Sequence, residues 1–267
     1  MQSFELETAT GERIAGWDTG EHDRPPWVLI HGIAQSKESF APLVGGPTHA
    51  GRRLIAFDLP GHGDSSSPTE GPSKTRLGED LHAVIHRLEL KSPVLLAWSY
   101  GGVVIGEYLR RFGPAGLGGL VACAASVKTG RGAGELFGAT MMDHARGLVS
   151  ADPDKYLESS QAFIEGCSAA PLPEKLTRSA VEAMTKVPAP VRRALLSGEE
   201  DYLEELAQSR LPTATLHGLR DTVVLPAMSD LVDARVPDAR SVRLEGVGHL
   251  PWLEAPDRFA GALDSLG

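Results

Sequence analysis

The sequence predicts an α/β fold, with a mostly parallel central sheet flanked by helices and a helical lid inserted in the second half. Three observations predict it. Short continuous apolar runs, of the kind that fill strands buried on both faces, alternate with amphipathic stretches over the first 125 or so residues. These runs end in loops rich in Gly, Asp, Ser or His, where the active sites of such sheets gather. The alternation lapses after about Ser126 and resumes near Pro212.

Ser3 to Thr8 alternates as a short strand, and Arg13 to Trp17 is a second, with Gly11-Glu12 as the hairpin turn between them. Trp27 to Ile30 is a buried third strand that ends at His31-Gly32. Arg53 to Phe57 repeats the pattern and ends at Asp58-Leu59-Pro60-Gly61. Leu77, Leu81, Val84, Ile85 and Leu88 recur at helical spacing, which predicts a helix over Arg76 to Leu90. Pro93 to Trp98 is the next strand, Gly101 to Arg111 a helix, and Leu117 to Ala125 another apolar stretch.

From about Lys128 to Arg210 the pattern is helical and mixed, with helices expected at Glu135 to Leu148 and Pro153 to Glu165 and no strong strand. Pro171-Leu172-Pro173 and Pro188-Ala189-Pro190 punctuate the segment. The expected division is a core domain of residues 1–127 and 211–267 and a lid of residues 128–210. The plainer reading makes these helices a continuation of the main alternation. Strands return at Pro212 to Leu216 and Ser241 to Leu244, covered by helices at Pro226 to Val236 and Pro256 to Leu266.

Composition limits the function classes. The 267 residues suit one large domain, and 42% hydrophobic with 23% charged residues is ordinary for a globular protein. A net charge of −9 repels phosphate backbones and anionic lipid, so neither nucleic acid nor a membrane is an expected partner. Cys123 and Cys167 are too few for a disulfide framework and read as buried or inert. The first residues lack the basic and apolar regions of a secretory signal, and no run of 18 apolar residues occurs, so a cytoplasmic location is expected. Monomer and homo-oligomer are equally compatible with the pattern.

Three residues carry the chemistry. Ser99 stands in Ala97-Trp98-Ser99-Tyr100-Gly101-Gly102, directly after a strand and before a helix. A serine is a poor nucleophile without a base to take its proton, and a sharp turn must hold it clear of the strand. That turn crowds the backbone, so small residues two before and two after the serine relieve it, as in the G-x-S-x-G elbow. Here Ala97 replaces the first glycine. A serine that merely caps the following helix is the bland alternative.

His249 lies in Gly246-Val247-Gly248-His249-Leu250-Pro251, on a loop between a strand and a helix. Asp221 lies in His217-Gly218-Leu219-Arg220-Asp221, just past a strand end. A carboxylate there accepts from the second imidazole nitrogen and fixes the tautomer. A solvated aspartate, or an ion pair with Arg220, is the alternative for Asp221.

The order Ser99, Asp221, His249, with the elbow and two further turns, resembles the α/β-hydrolase family over essentially the whole chain. Within it, the chain is similar to single-domain serine esterases, lactone hydrolases, carbon–carbon bond hydrolases and cofactor-free haloperoxidases. The resemblance implies an α/β-hydrolase fold with Ser99 as nucleophile, His249 as general base and Asp221 as its orienting acid. It also implies an oxyanion hole from two backbone N–H groups, those of Ile33, in His31-Gly32-Ile33, and of Tyr100. His31 is expected to order its loop. The turn Asp58-Leu59-Pro60-Gly61-His62-Gly63-Asp64-Ser65 resembles the family's D-x-x-G-x-G-x-S turn and reads as scaffolding. Dehalogenases and epoxide hydrolases similar to this group place an aspartate at the nucleophile position, so Ser99 implies an acyl-enzyme.

No cofactor is expected, since no G-x-G-x-x-G follows a strand and no Gly-Lys-Ser/Thr loop occurs. No metal is expected either: His82 and His86 are four apart, but H-E-x-x-H and a third ligand are missing. The expected partner is a small hydrophobic acyl substrate, under a ceiling of Phe137, Met141, Met142 and Phe163 with Trp98 and Tyr100; the competing reading makes these Met and Phe side chains core of the lid. The expected activity is hydrolysis of a carboxylic ester, lactone or thioester. The same triad serves carbon–carbon bond hydrolysis or peracid formation, and a non-catalytic binding protein on this scaffold is the alternative of another class.

Overall fold

The computed structural model describes residues 1–8 and 11–264. Its eight-stranded sheet is built from β1 (Gln2–Glu7), β2 (Arg13–Asp18), β3 (Pro26–Ile30), β4 (Arg53–Phe57), β5 (Val94–Trp98) and β6 (Gly119–Cys123). After a two-stranded excursion by β7 (Lys128–Thr129) and β8 (Glu200–Asp201), β9 (Thr213–Gly218) and β10 (Arg240–Leu244) complete it. The order across the sheet is β1-β2-β4-β3-β5-β6-β9-β10. From β4 to β10 every pairing is parallel, whereas β1 and β2 form an antiparallel hairpin that joins β4 antiparallel. The fold is a mostly parallel sheet flanked by helices, as the alternation predicts.

The strand residues explain the order. β4 and β6 are buried throughout, and β3 and β5 are buried beyond their first residue, so these four occupy the centre. β1 alternates exposed and half-buried positions and lies at an edge. Helices α1 (Lys74–Arg87) and α2 (Gly101–Phe112) pack together, burying Leu77, Leu81, Val84 and Ile85 from α1 against the core. Ser73 caps α1 by accepting from the amide of Arg76.

Between β6 and β9 the chain leaves the sheet and forms α3 (Ala139–Leu148), α4 (Pro153–Gly166), α5 (Glu174–Thr185), α6 (Ala189–Leu196) and α7 (Leu203–Ser209). The helix expected over Glu135 to Leu148 is interrupted. A 3-10 turn covers Arg131–Leu136, Phe137 pairs with Val224, and α3 starts only after Gly138. The interruption is tertiary: the amide of Gly138 donates to Val223 O, and a Cβ there would lie 2.3 Å from Thr222 O. Residues 128–210 hold only the two-residue strands β7 and β8, paired antiparallel, where no strong strand is expected.

Helices α8 (Pro226–Arg235), α9 (Pro251–Glu254) and α10 (Pro256–Asp264) follow the last strands. Leu266, the expected end of the last helix, lies outside the described residues. No helix among the described residues is long and apolar enough to cross a membrane.

Candidate active site

Ser99 follows β5 directly and adopts φ 53°, a left-handed conformation that non-glycine residues rarely take. Three backbone hydrogen bonds hold it there. Its amide donates to Cys123 O at 3.2 Å, and its carbonyl accepts from Gly102 at 3.0 Å and from Ser126 at 2.8 Å. The turn leaves no room for larger neighbours: a Cβ on Gly101 would come within 2.6 Å of Ile30 O. Ala97, in place of the elbow's first glycine, is buried within β5.

His249 sits on the loop between β10 and α9, only 1% exposed, in contrast with an ordinary solvated loop histidine. Its amide donates to Cys167 O at 2.7 Å, and its carbonyl accepts from Trp98 Nε1 at 3.0 Å. Its Nδ1 lies 2.6 Å from Asp221 Oδ2. A carboxylate only accepts, so the proton is on Nδ1 and Nε2 is left as an acceptor. Ser99 and His249 line the same cavity, and no hydrogen bond joins the two side chains among the described residues.

Asp221 follows β9 and is 3% exposed. Arg220 makes no ion pair with it among the described residues; the carboxylate faces two histidines instead. Its Oδ1 accepts from the amides of Val223 at 2.8 Å and Val224 at 3.1 Å. Burial by itself raises the pKa of this carboxyl, but the charge of His249 and hydrogen bonds from His217 and His249 outweigh it, bringing it down to about 2.

The amides of Ile33 and Tyr100 donate no hydrogen bond to protein among the described residues, although both residues are buried. Both residues line a cavity with Ser99. The phenol of Tyr100 points elsewhere: it donates to Leu195 O at 3.0 Å and stands 2.7 Å from Lys74 Nζ, whose pKa burial lowers to about 8.

The loop after β3 is ordered by the two histidines of the glycine-rich turns. His31 Nδ1 lies 2.8 Å from Gly32 O and its Nε2 accepts from Leu59 N at 3.0 Å. His62 Nδ1 lies 3.0 Å from Pro60 O and its Nε2 accepts from Ala34 N at 3.2 Å, one residue past Ile33. Asp58, fully buried, accepts from the amide of Lys37 and forms an ion pair with Lys37 Nζ at 2.7 Å. The scaffolding reading of this turn agrees with these contacts.

Two residues of the site carry no signal in the sequence. His217, wholly buried on β9, lies with Nε2 3.1 Å from Asp221 Oδ2 and 2.8 Å from Val224 O, and Nδ1 2.7 Å from Ser229 Oγ. Glu254, at the end of α9, accepts from the amides flanking His249, namely Gly248 at 2.9 Å and Leu250 at 3.1 Å. It also accepts from Ala169 at 2.7 Å. Cys123 and Cys167 are buried thiols whose pKa burial pushes up, so neither is a poised nucleophile.

Two cavities meet at Ser99. One, of about 90 Å³, is walled by Trp98, Phe163, Leu172, Trp252 and His249. The other, of about 380 Å³, is walled by Tyr100, Phe137, Met141, Met142 and Val149. The expected apolar ceiling is therefore divided, with Phe163 and Trp98 over one cavity and Phe137, Met141, Met142 and Tyr100 over the other.

A family model described as the alpha/beta hydrolase family matches residues 27–262. The chain is 28% identical to the pimeloyl-[acyl-carrier protein] methyl ester esterase of Edwardsiella ictaluri, over 92% of this chain and 95% of that one. It superposes on the crystal structure of an esterase from Rhodococcus sp. ECU1013 with a TM-score of 0.89 and 30% identity, over 99% and 98% of the two chains. A bromoperoxidase from Bacillus anthracis shares the fold, with a TM-score of 0.84 at 24% identity over 99% of each chain.

Proposed function

The chain belongs to the alpha/beta hydrolase family, and from that membership we propose that it hydrolyses a carboxylic ester, lactone or thioester through an acyl-enzyme on Ser99. The observation that carries the reading is the pairing of a strained serine with a buried, carboxylate-held histidine on one cavity wall. Ser99 Oγ attacks the carbonyl carbon as His249 Nε2 takes the hydroxyl proton. Charge on the carbonyl oxygen is met by the unpaired N–H groups of Ile33 and Tyr100, each worth ~10²–10³ in rate in comparable sites. Asp221 keeps the proton on His249 Nδ1 and stabilises the imidazolium. The alcohol leaves with the proton from Nε2. Water then releases the acid through the same histidine.

In this reading residues 1–127 and 211–267 form the catalytic core and residues 128–210 a cap. Support comes from Phe163, Ile164 and Leu172, which wall the cavity beside His249 from the inserted segment. The substrate is a small hydrophobic acyl compound, because both cavities are largely apolar.

The test is a panel of alkyl esters, lactones, thioesters and diketones, followed by proton release and product analysis, on wild type and Ser99→Ala. Ester or lactone turnover that falls on the order of 10⁴-fold or more in Ser99→Ala is the expected result. Undiminished turnover in the variant removes Ser99 from the mechanism. Turnover confined to the diketones replaces ester hydrolysis by carbon–carbon bond cleavage on the same serine.

A further inference from the structure

Ser99 and Ile33 border both cavities, but His249 borders only the smaller one and Tyr100 only the larger. That division has a chemical meaning under the proposed function, on which this inference rests. When the tetrahedral intermediate collapses, the bond from carbon to the leaving oxygen breaks, and that oxygen takes the proton held on His249 Nε2. The leaving group must therefore lie on the side of the histidine. The oxyanion occupies the direction of the Ile33 and Tyr100 amides. The acyl substituent has only the remaining direction, along the cavity that Tyr100 borders.

We propose that the leaving alcohol binds in the small cavity walled by Trp98 and Trp252, and the acyl chain in the large cavity under Met141 and Met142. The substrate class is then an ester of a compact alcohol with a longer apolar acid. The sizes point the same way. The smaller cavity, at about 90 Å³, lies below the roughly 150 Å³ that houses benzene in an engineered cavity and favours an alcohol of few carbons. The larger, at about 380 Å³, takes a chain well beyond a benzene ring.

The two walls also differ in stiffness. Trp98 and Trp252 meet edge to face at 4.9 Å, and each indole N–H is tied to backbone, Trp98 to His249 O and Trp252 to Ser39 O, both at 3.0 Å. Such a wall discriminates strictly. The facing cavity is walled by methionines, which adapt to varied shapes. Met142 on its wall is itself 55% exposed. Selectivity is accordingly narrow for the alcohol and broad for the acid.

Two ester series test this. One holds the acid as octanoate and varies the alcohol through methyl, ethyl, butyl and benzyl. The other holds methanol and varies the acid from acetate to dodecanoate. The expected result is a fall in kcat/KM of tenfold or more from methyl to benzyl octanoate, and a rise from methyl acetate to methyl octanoate. Ala145→Trp, in the large cavity, lowers the octanoate-to-acetate ratio at least fivefold. Ala183→Trp, in the small one, lowers the butyl-to-methyl ratio instead. Exchange of these two effects, or a preference for bulky alcohols, overturns the assignment. Labelling of Ser99 by a fluorophosphonate with no turnover in either series overturns the substrate class and leaves the nucleophile standing. Absence of both label and turnover overturns the hydrolase reading and the assignment with it.

Discussion

Asp221 Oδ2 serves two histidines at once, at 2.6 Å from His249 Nδ1 and 3.1 Å from His217 Nε2, while Oδ1 takes two backbone amides. Four contacts fix both the carboxylate and, through it, the imidazole. His217 has Val224 O as a second neighbour of the same nitrogen, and a carbonyl accepts only, so Nε2 of His217 carries its proton and Asp221 is the acceptor from both rings. With its pKa lowered to about 2, the carboxyl is ionised at and well below neutral pH. Asp221→Asn supplies an amide that offers hydrogen to Nδ1–H or to His217, favouring the wrong tautomer of His249. The expected outcome is a loss of about 10⁴-fold in kcat with little change in KM. Steady-state kinetics on one good ester check it, and a variant within tenfold of wild type would remove Asp221 from the orienting role.

The β10–α9 loop is shaped by what grips it from both sides. Glu254 on α9 accepts from Gly248 and Leu250, the residues before and after His249, and from Ala169 in the segment after α4. Cys167 O, in the same segment, accepts from His249 N. The histidine backbone is thus clamped between α9 and the inserted helices. In Glu254→Ala three amides lose their acceptor and the ring is free to shift, and a misplacement of about 1 Å costs about 10²-fold in rate. The expected result is a 10- to 100-fold fall in kcat with KM within about threefold, and a matching fall in the rate of fluorophosphonate labelling. Glu254→Gln, which keeps one carbonyl acceptor, recovers part of it. Wild-type kcat in Glu254→Ala would reduce the clamp to a local brace. No pattern in Pro251-Trp252-Leu253-Glu254 announces this role, because it depends on a loop that folds back onto the helix end. The positions of Ser99, Asp221 and His249 were legible for the opposite reason: each lies in a loop that follows a strand, and the alternation of strand and helix puts such loops at the carboxyl edge of the sheet. Strands β3, β4 and β5 declared themselves by unbroken apolar runs. The break before α3 did not, since only the pairing of Phe137 with Val224, 87 residues away in sequence, pulls that chain straight.

Across the molecule, the sheet's carboxyl edge is held together by a buried polar core that works only in one protonation state. His31 and His62 are at most 1% exposed, with ring centroids 5.1 Å apart. Each uses Nε2 to accept a backbone N–H, Leu59 for one and Ala34 for the other. A proton on either Nε2 would replace an acceptor with a second donor, against that amide and against the neighbouring ring. Burial accordingly lowers the pKa of His31 to about 4 and that of His62 to about 3, with the other histidine adding to the fall for His62. The unfolded chain takes up these protons near pH 6.5, so their contribution to stability is full above that pH. It is lost as acid is added, at about 1.4 kcal/mol per pH unit for each ring, until the folded pKa values are reached. Urea unfolding at neutral pH and about 1.5 units below pH 6.5 should therefore differ by roughly 4 kcal/mol from this pair. His62→Gln, whose carbonyl accepts from Ala34 without titrating, should be less stable at neutral pH but lose only about half as much on acidification. The loop so held carries Ile33, one of the two proposed oxyanion donors, so acid that unfolds this polar core also dismantles the proposed oxyanion hole. An acid slope unchanged in His62→Gln would place the acid sensitivity elsewhere in the fold.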